Sequence, residues 1–186
     1  MKTSTFCSLF LGLILISQSP LSANARGRVP AALPGVLVNE LCNGFGGDKI
    51  ACLHILGTNP TAMRSRNYRQ LSRVVLTLAI NRAVAGQNFL RGLAAATNSK
   101  ALTQCANFDY DGVVGSFKSA LGEIRDDSTT ANYDAGVAHD GPDTCNRGLA
   151  TENIVNPLIT ALNNDILLFS RMASFATDKL PLPADE

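Results

Sequence analysis

The pattern running from Ala62 to Ala96 most constrains the fold, because its apolar residues recur at helical spacing rather than in the alternation of a strand. On a wheel at roughly 100° per residue, Tyr68, Leu71, Val75, Leu78, Ala85, Phe89 and Leu93 make one broad apolar face, the expected core side. Arg66, Arg69, Arg73 and Arg91 fall within a roughly 60° arc on the other side. Leu76, Ile80 and Val84 share that other side at spacing i, i+4, i+8. A helix apolar on two sides in its middle either packs between neighbours or offers a surface to a partner. Arg82 falls on the core face and is expected to snorkel or to pair with a carboxylate, since an unpaired buried charge is costly.

Strand signals are scarce: there is no Trp, and runs of alternating β-branched residues are missing. Short helical pieces are expected at Val36–Cys42 and Lys49–Leu56, around the glycine-rich loop Asn43–Lys49, with Gly57-Thr58-Asn59-Pro60 ending that hairpin. After the long helix comes a second at about Lys100–Arg125, which Gly112, Gly115 and Gly122 each weaken by about 1 kcal/mol relative to alanine. A short third helix is expected at Ala131–Ala138, stopped by Gly141-Pro142. The last helix starts with Asn156 as its cap and Pro157 at the first position. Its stripe is Leu158, Leu162, Ile166, Phe169, Ala173 and Ala176. Loops this short force neighbouring helices to run up and down around one core. The expected architecture is all-α: a hairpin over 36–57 and an antiparallel four-helix bundle over 62–178.

The N-terminus reads as a secretory signal over residues 1–25. Met1-Lys2 is a short positive start, Phe6–Ile16 an uncharged apolar run, and Ala23-Asn24-Ala25 a small-x-small cleavage pattern. That run falls short of the ~20 residues a membrane span needs, so no membrane anchor is expected. Removal of residues 1–25 takes Cys7 and leaves one domain over 26–186 with Cys42, Cys52, Cys105 and Cys145. Four cysteines in an oxidising compartment read as two disulfides with three possible connectivities. A zinc site from Cys42, Cys52 and His54 lacks the usual pair spacing of about two to four residues. The glycine loop has no preceding strand, so it is not a phosphate cradle. Asn59-Pro60-Thr61 carries the proline that forbids an N-glycan.

Lys49–Phe108 holds eight Lys or Arg and no acid, while Asp109–Glu186 holds thirteen acids against five bases. This asymmetry reads either as two surfaces attracting across an internal interface or as a docking face for a charged protein or polysaccharide. No aromatic-interleaved basic motif points to nucleic acid. Hydrolase, zincin, P-loop and dinucleotide fingerprints are missing, and His54 and His139 lie far apart in sequence. Asp109/Asp111 and Asp126/Asp127 read as solvated pairs on a helix side and in a turn, without the cleft that acid–base work requires. No catalytic residue, metal or cofactor is expected.

Cys42 and Cys52 in a short N-terminal hairpin, Cys105-Ala-Asn-Phe-Asp-Tyr110, Tyr133-Asp-Ala135 and Asp143-Thr144-Cys145 together resemble the plant invertase and pectin methylesterase inhibitor family. The resemblance implies an antiparallel four-helix bundle and the pairs Cys42–Cys52 and Cys105–Cys145. The hairpin loop and the third helix, where Asp134-Ala-Gly-Val-Ala138 replaces the usual Ser-Ala-Ala run, depart from the family pattern. The implied function is a non-enzymatic, secreted inhibitor in the apoplast (the plant cell wall), occluding the cleft of a cell-wall enzyme in a reversible one-to-one complex. Pectin methylesterase is favoured over acid invertase, because the Pro-Lys-Phe motif of invertase-directed members is missing and Asp143-Thr144-Cys145 looks like the methylesterase side. Methylesterase-type members dock through the bundle's helical surface, which makes Arg66, Arg69, Arg73, Leu76 and Ile80 the candidate partner face. Dimerisation through the hairpin is a further option. The alternatives are a carrier holding an apolar ligand inside the bundle, or a helical protein binding a partner or polysaccharide through its basic face.

Overall fold

The computed structural model describes residues 35–182; the expected signal segment and cleavage site lie outside them. Among the described residues all regular structure is helical. The hairpin consists of α1 (Val36–Gly44) and α2 (Lys49–Gly57), joined through Gly46, whose φ of 73° glycine adopts without strain. Asp48 caps α2 by accepting from Ala51 N–H, and Cys42 is bonded to Cys52 across the turn, with Cα atoms 5.5 Å apart. Gly44 sits against the Phe175 ring, so the hairpin rests on the last helix.

The long helix is shorter than its sequence pattern suggests. A single turn, α3 (Pro60–Met63), is followed by a break and then by α4 (Tyr68–Thr97). The break has a local cause, because Asn67 in an extended conformation accepts from Gln70 N–H and starts a new helix. The second rod comprises α5 (Lys100–Gln104), a π-helical segment (Cys105–Asp109) and α6 (Tyr110–Glu123). Within the π segment Tyr110 N–H reaches back to Cys105 C=O. At the start of α5, Glu152 accepts from Ser99 Oγ at 2.6 Å and from Ala101 N–H at 2.9 Å, and these two bonds hold the Glu152 carboxyl below the usual carboxylate range.

The third rod is also longer than expected. After α7 (Ser128–Val137) the chain kinks at His139 and continues as α8 (Asp140–Thr151). Gly141-Pro142 does not stop it, because Pro142 is the third residue of α8, where a backbone N–H has no intrahelical acceptor anyway. The fourth rod, α9 (Pro157–Asp178), begins with the expected cap: Asn156 Oδ1 accepts from Leu158 and Ile159 N–H.

The four rods form an antiparallel up-down-up-down bundle in which α4 lies between α6 and α9, and α7 faces them from the opposite corner. The core face of α4 is rotated from the predicted one. Leu71, Val75, Leu76, Ala79, Ala83 and Leu90 are fully buried, whereas Ala85 is exposed and Leu78 and Phe89 are half-buried. The rotation brings Gly86 to the seam: a Cβ there would lie 2.5 Å from a Leu162 methyl, so α9 packs its leucine into the space that the glycine leaves on α4. Tyr110, Phe117, Ile166 and Met172 fill the interior, each burial contributing roughly 1.5–3 kcal/mol. Cys105 is bonded to Cys145 (Cα atoms 4.8 Å apart), tying the second rod to the third. Gly141 approaches so closely there that a Cβ would lie 2.6 Å from Asp109 C=O.

Candidate docking face

The predicted partner face divides when the chain folds. Leu76 is fully buried between α4 and its neighbours, so it offers nothing to a partner, and Ile80 is half-buried at the edge of the core. Arg66 precedes the Asn67 cap and so does not share a helical arc with Arg69 and Arg73; its backbone N–H donates to Gln70 Oε1 at 2.8 Å. The side chains of Arg66, Arg69 and Arg73 are all exposed. Arg82 lies at the α4–α9 seam, where it pairs with Asp165 at 2.6 Å, both side chains being about 40% exposed (39% and 43%). That pair joins the basic and acidic halves of the chain. It is the expected carboxylate partner, placed at a seam and not within the core.

Arg69 and Arg73 line a groove of about 620 Å³ at the head of α4, where Arg64 and Arg125 join them. Arg64 follows the single turn α3, and Arg125 comes from the end of α6. Sequence reasoning missed both, because chain positions some sixty residues apart converge only in the bundle. One local signal was available: the first turn of α4 carries no acid and includes Arg69. A helix N-terminus carries positive partial charge and favours acids.

A second groove, of about 570 Å³, lies between Phe45, the α7–α8 kink and α9, and collects His139, Asp143, Arg171 and Asp178. His139 Nδ1 lies 2.6 Å from Gly136 C=O and its Nε2 lies 3.3 Å from Asp140, so both ring nitrogens have local partners.

Asp109 corrects a further expectation, since it is buried, not solvated. Its Oδ1 accepts from Gln104 Nε2 at 3.3 Å, and its Oδ2 has no partner. Burial pushes its carboxyl above the ordinary range, against the smaller lowering influence of the Gln104 bond and the Arg147 charge. Asp109 lies beside Cys105 and Cys145, but both sulfurs are committed to the disulfide and are not available to a metal. Burial likewise raises the Tyr110 hydroxyl, which donates to Asn163 Oδ1 at 2.6 Å.

The family model for plant invertase/pectin methylesterase inhibitor matches residues 36–178. Two crystal structures of Arabidopsis pectin methylesterase inhibitors share the fold. A mutant form superposes with a TM-score of 0.68 at 20% identity, over 78% of this chain and 97% of that one. A second inhibitor superposes with a TM-score of 0.58 at 21% identity, over 78% and 96%. Among curated proteins, none matches the chain by sequence.

Proposed function

Because this chain belongs to the plant invertase/pectin methylesterase inhibitor family, we propose that it is a secreted inhibitor of pectin methylesterase. In this reading it occludes the enzyme's active-site cleft in a reversible one-to-one complex. Stopping an enzyme this way needs no catalytic group, only a preorganised surface of sufficient area. A stable complex covers about 800 Å² on each partner. The 30-residue α4 alone extends roughly 45 Å, enough to lie across a cleft. Two disulfides and a packed core hold that surface before the partner arrives, which reduces the ordering cost of binding.

The observation that carries this reading is the exposed outer face of α4 and its approach. Arg66, Arg69 and Arg73 stand in solvent there, and Ile80 lies half-buried further along. Leu76 plays no part in the face. The experiment is an inhibition assay of the purified chain against pectin methylesterase and against acid invertase. Saturable inhibition of the methylesterase at one-to-one stoichiometry is expected. Inhibition of invertase alone moves the target, and no effect on either enzyme at micromolar concentration rejects the inhibitor reading.

A further inference from the structure

The groove at the head of α4 has a chemistry that cleft occlusion does not require. Arg64, Arg69, Arg73 and Arg125 enter it from three separate elements, with the polar side chains of Thr61 and Asn67 between them. No Asp or Glu lines it, and the Arg and Lys ion pairs of the described residues lie elsewhere, at Arg82–Asp165 and Lys179–Asp178. Arg69 and Arg73 occupy the first two turns of α4, where cations oppose the helix macrodipole. Four like charges are thus gathered at the positive end of a 30-residue helix without an internal carboxylate to offset them. A basic cluster that breaks the local preference of its helix, with no carboxylate among its lining residues, is the kind of departure found at functional sites.

The lining also discriminates between anions. Val74 is its one apolar side chain, and no aromatic residue is present. Protein interfaces are anchored by buried aromatic side chains packed with Arg, so this groove borders the enzyme-facing side of α4 without supplying the centre of a protein interface. Arginine forks surrounded by hydroxyl and amide groups instead suit a hydrated polymer bearing planar carboxylates. Hydrolysis of the methyl ester of pectin leaves a carboxylate on each converted sugar and releases methanol. The product of the proposed target enzyme is therefore a polyuronate, whereas its substrate is neutral at the same positions. The geometry points to the arginine groove as a binding site for the carboxylates of de-esterified pectin, which would hold the protein on polymer that the enzyme has already processed. The choice of polymer rests on the methylesterase reading; the anion chemistry of the groove does not.

The test measures binding of the purified chain to sodium polygalacturonate by affinity electrophoresis and titration calorimetry, with fully methyl-esterified pectin and sodium polyglutamate as comparison probes. Arg64→Glu with Arg125→Glu is the variant, because these two residues belong to the groove and not to the face assigned to the enzyme. The site predicts binding to polygalacturonate that weakens with added salt, little binding to esterified pectin, and an affinity about tenfold lower in the variant. At an ionic strength that screens long-range steering, the variant's inhibition of pectin methylesterase should stay unchanged. Equal binding by wild type and variant, equal binding of esterified pectin, or tighter binding of polyglutamate than of polygalacturonate would overturn the proposal. A chain that binds polygalacturonate yet inhibits neither enzyme removes the inhibitor reading and keeps the groove. One that inhibits but does not bind removes only the groove.

Discussion

Tyr110 and Asn163 in the bundle interior, with Asn146 at its surface, find their hydrogen-bond partners inside the chain, whereas Arg64, Arg69, Arg73 and Arg125 at the head of α4 line a groove without a carboxylate. Tyr110 Oη donates to Asn163 Oδ1, and Asn163 Nδ2 donates to Asn146 Oδ1, both at 2.6 Å, so three rods are joined by one polar chain. At the head of α4 the charge is gathered and left to solvent. The difference separates polar groups that specify the fold from polar groups that await something else. Asp109 is an intermediate case: buried like the first set, half-satisfied like the second.

The largest effect should come from breaking the interior chain. Asn163 is fully buried, and Asn163→Ala leaves both the Tyr110 hydroxyl and the Asn146 amide without this partner. A loss of about 2–3 kcal/mol is expected in urea denaturation, from the unsatisfied hydroxyl and the small void together. A cost below about 0.5 kcal/mol would mean that water or a rotamer change replaces the bonds, and the contrast with the surface arginines would lose its interior half.

Asp109 offers a finer test, because a proton can supply what the chain does not. Its raised pKa means that the folded state holds the proton more tightly than the unfolded state does. Its stabilising contribution is therefore complete below the ordinary carboxylate value of 3.8 and disappears as pH rises through the elevated folded value. Asp127 and Glu152 slope the other way: accepted hydrogen bonds lower both, so their contributions are present above the ordinary range and fade as pH falls. Asp109→Asn isolates the first group, since the amide fills the same space without titrating. The stability difference between wild type and variant should shift against the wild type as pH rises from about 4 towards neutrality. Parallel stability curves would show that Asp109 titrates normally in the folded chain.

Much of the fold was legible because helical periodicity, the Asn156-Pro157 cap and the short connections are local properties of the sequence. The four-cysteine framework carried the family resemblance, and with it the pairing. The rotation of α4 was not legible. A wheel weights large side chains, but the true core face carries the fully buried Ala79 and Ala83, and Gly86 admits Leu162 of α9. Nor was the break before Tyr68, which no glycine or proline marks and which depends on Asn67 out-competing helix continuation. Pro142 was read as a stop because its position within the first turn of α8 was unknown. At the docking face, the exposure of Arg69 and Arg73 could be read from the wheel; Arg66 is exposed too, but from outside the helix, and the burial of Leu76 depended on the unseen rotation.

The smallest expected change in stability is the most informative about the arginines. Arg69→Glu with Arg73→Glu places acids in the first two turns of α4, where the helix dipole favours them. Both side chains are exposed, so no packing is lost. The urea midpoint should stay where it is or rise by an amount equivalent to roughly 0.5 kcal/mol. Association with pectin methylesterase should slow by on the order of tenfold at low ionic strength, with the two curves converging as salt is added. A variant that is equally or more stable but a weaker inhibitor places these arginines with the surface, serving a partner at some cost to the helix. A variant destabilised by more than about 1 kcal/mol would place them with Tyr110 and Asn163 instead, as parts of the fold.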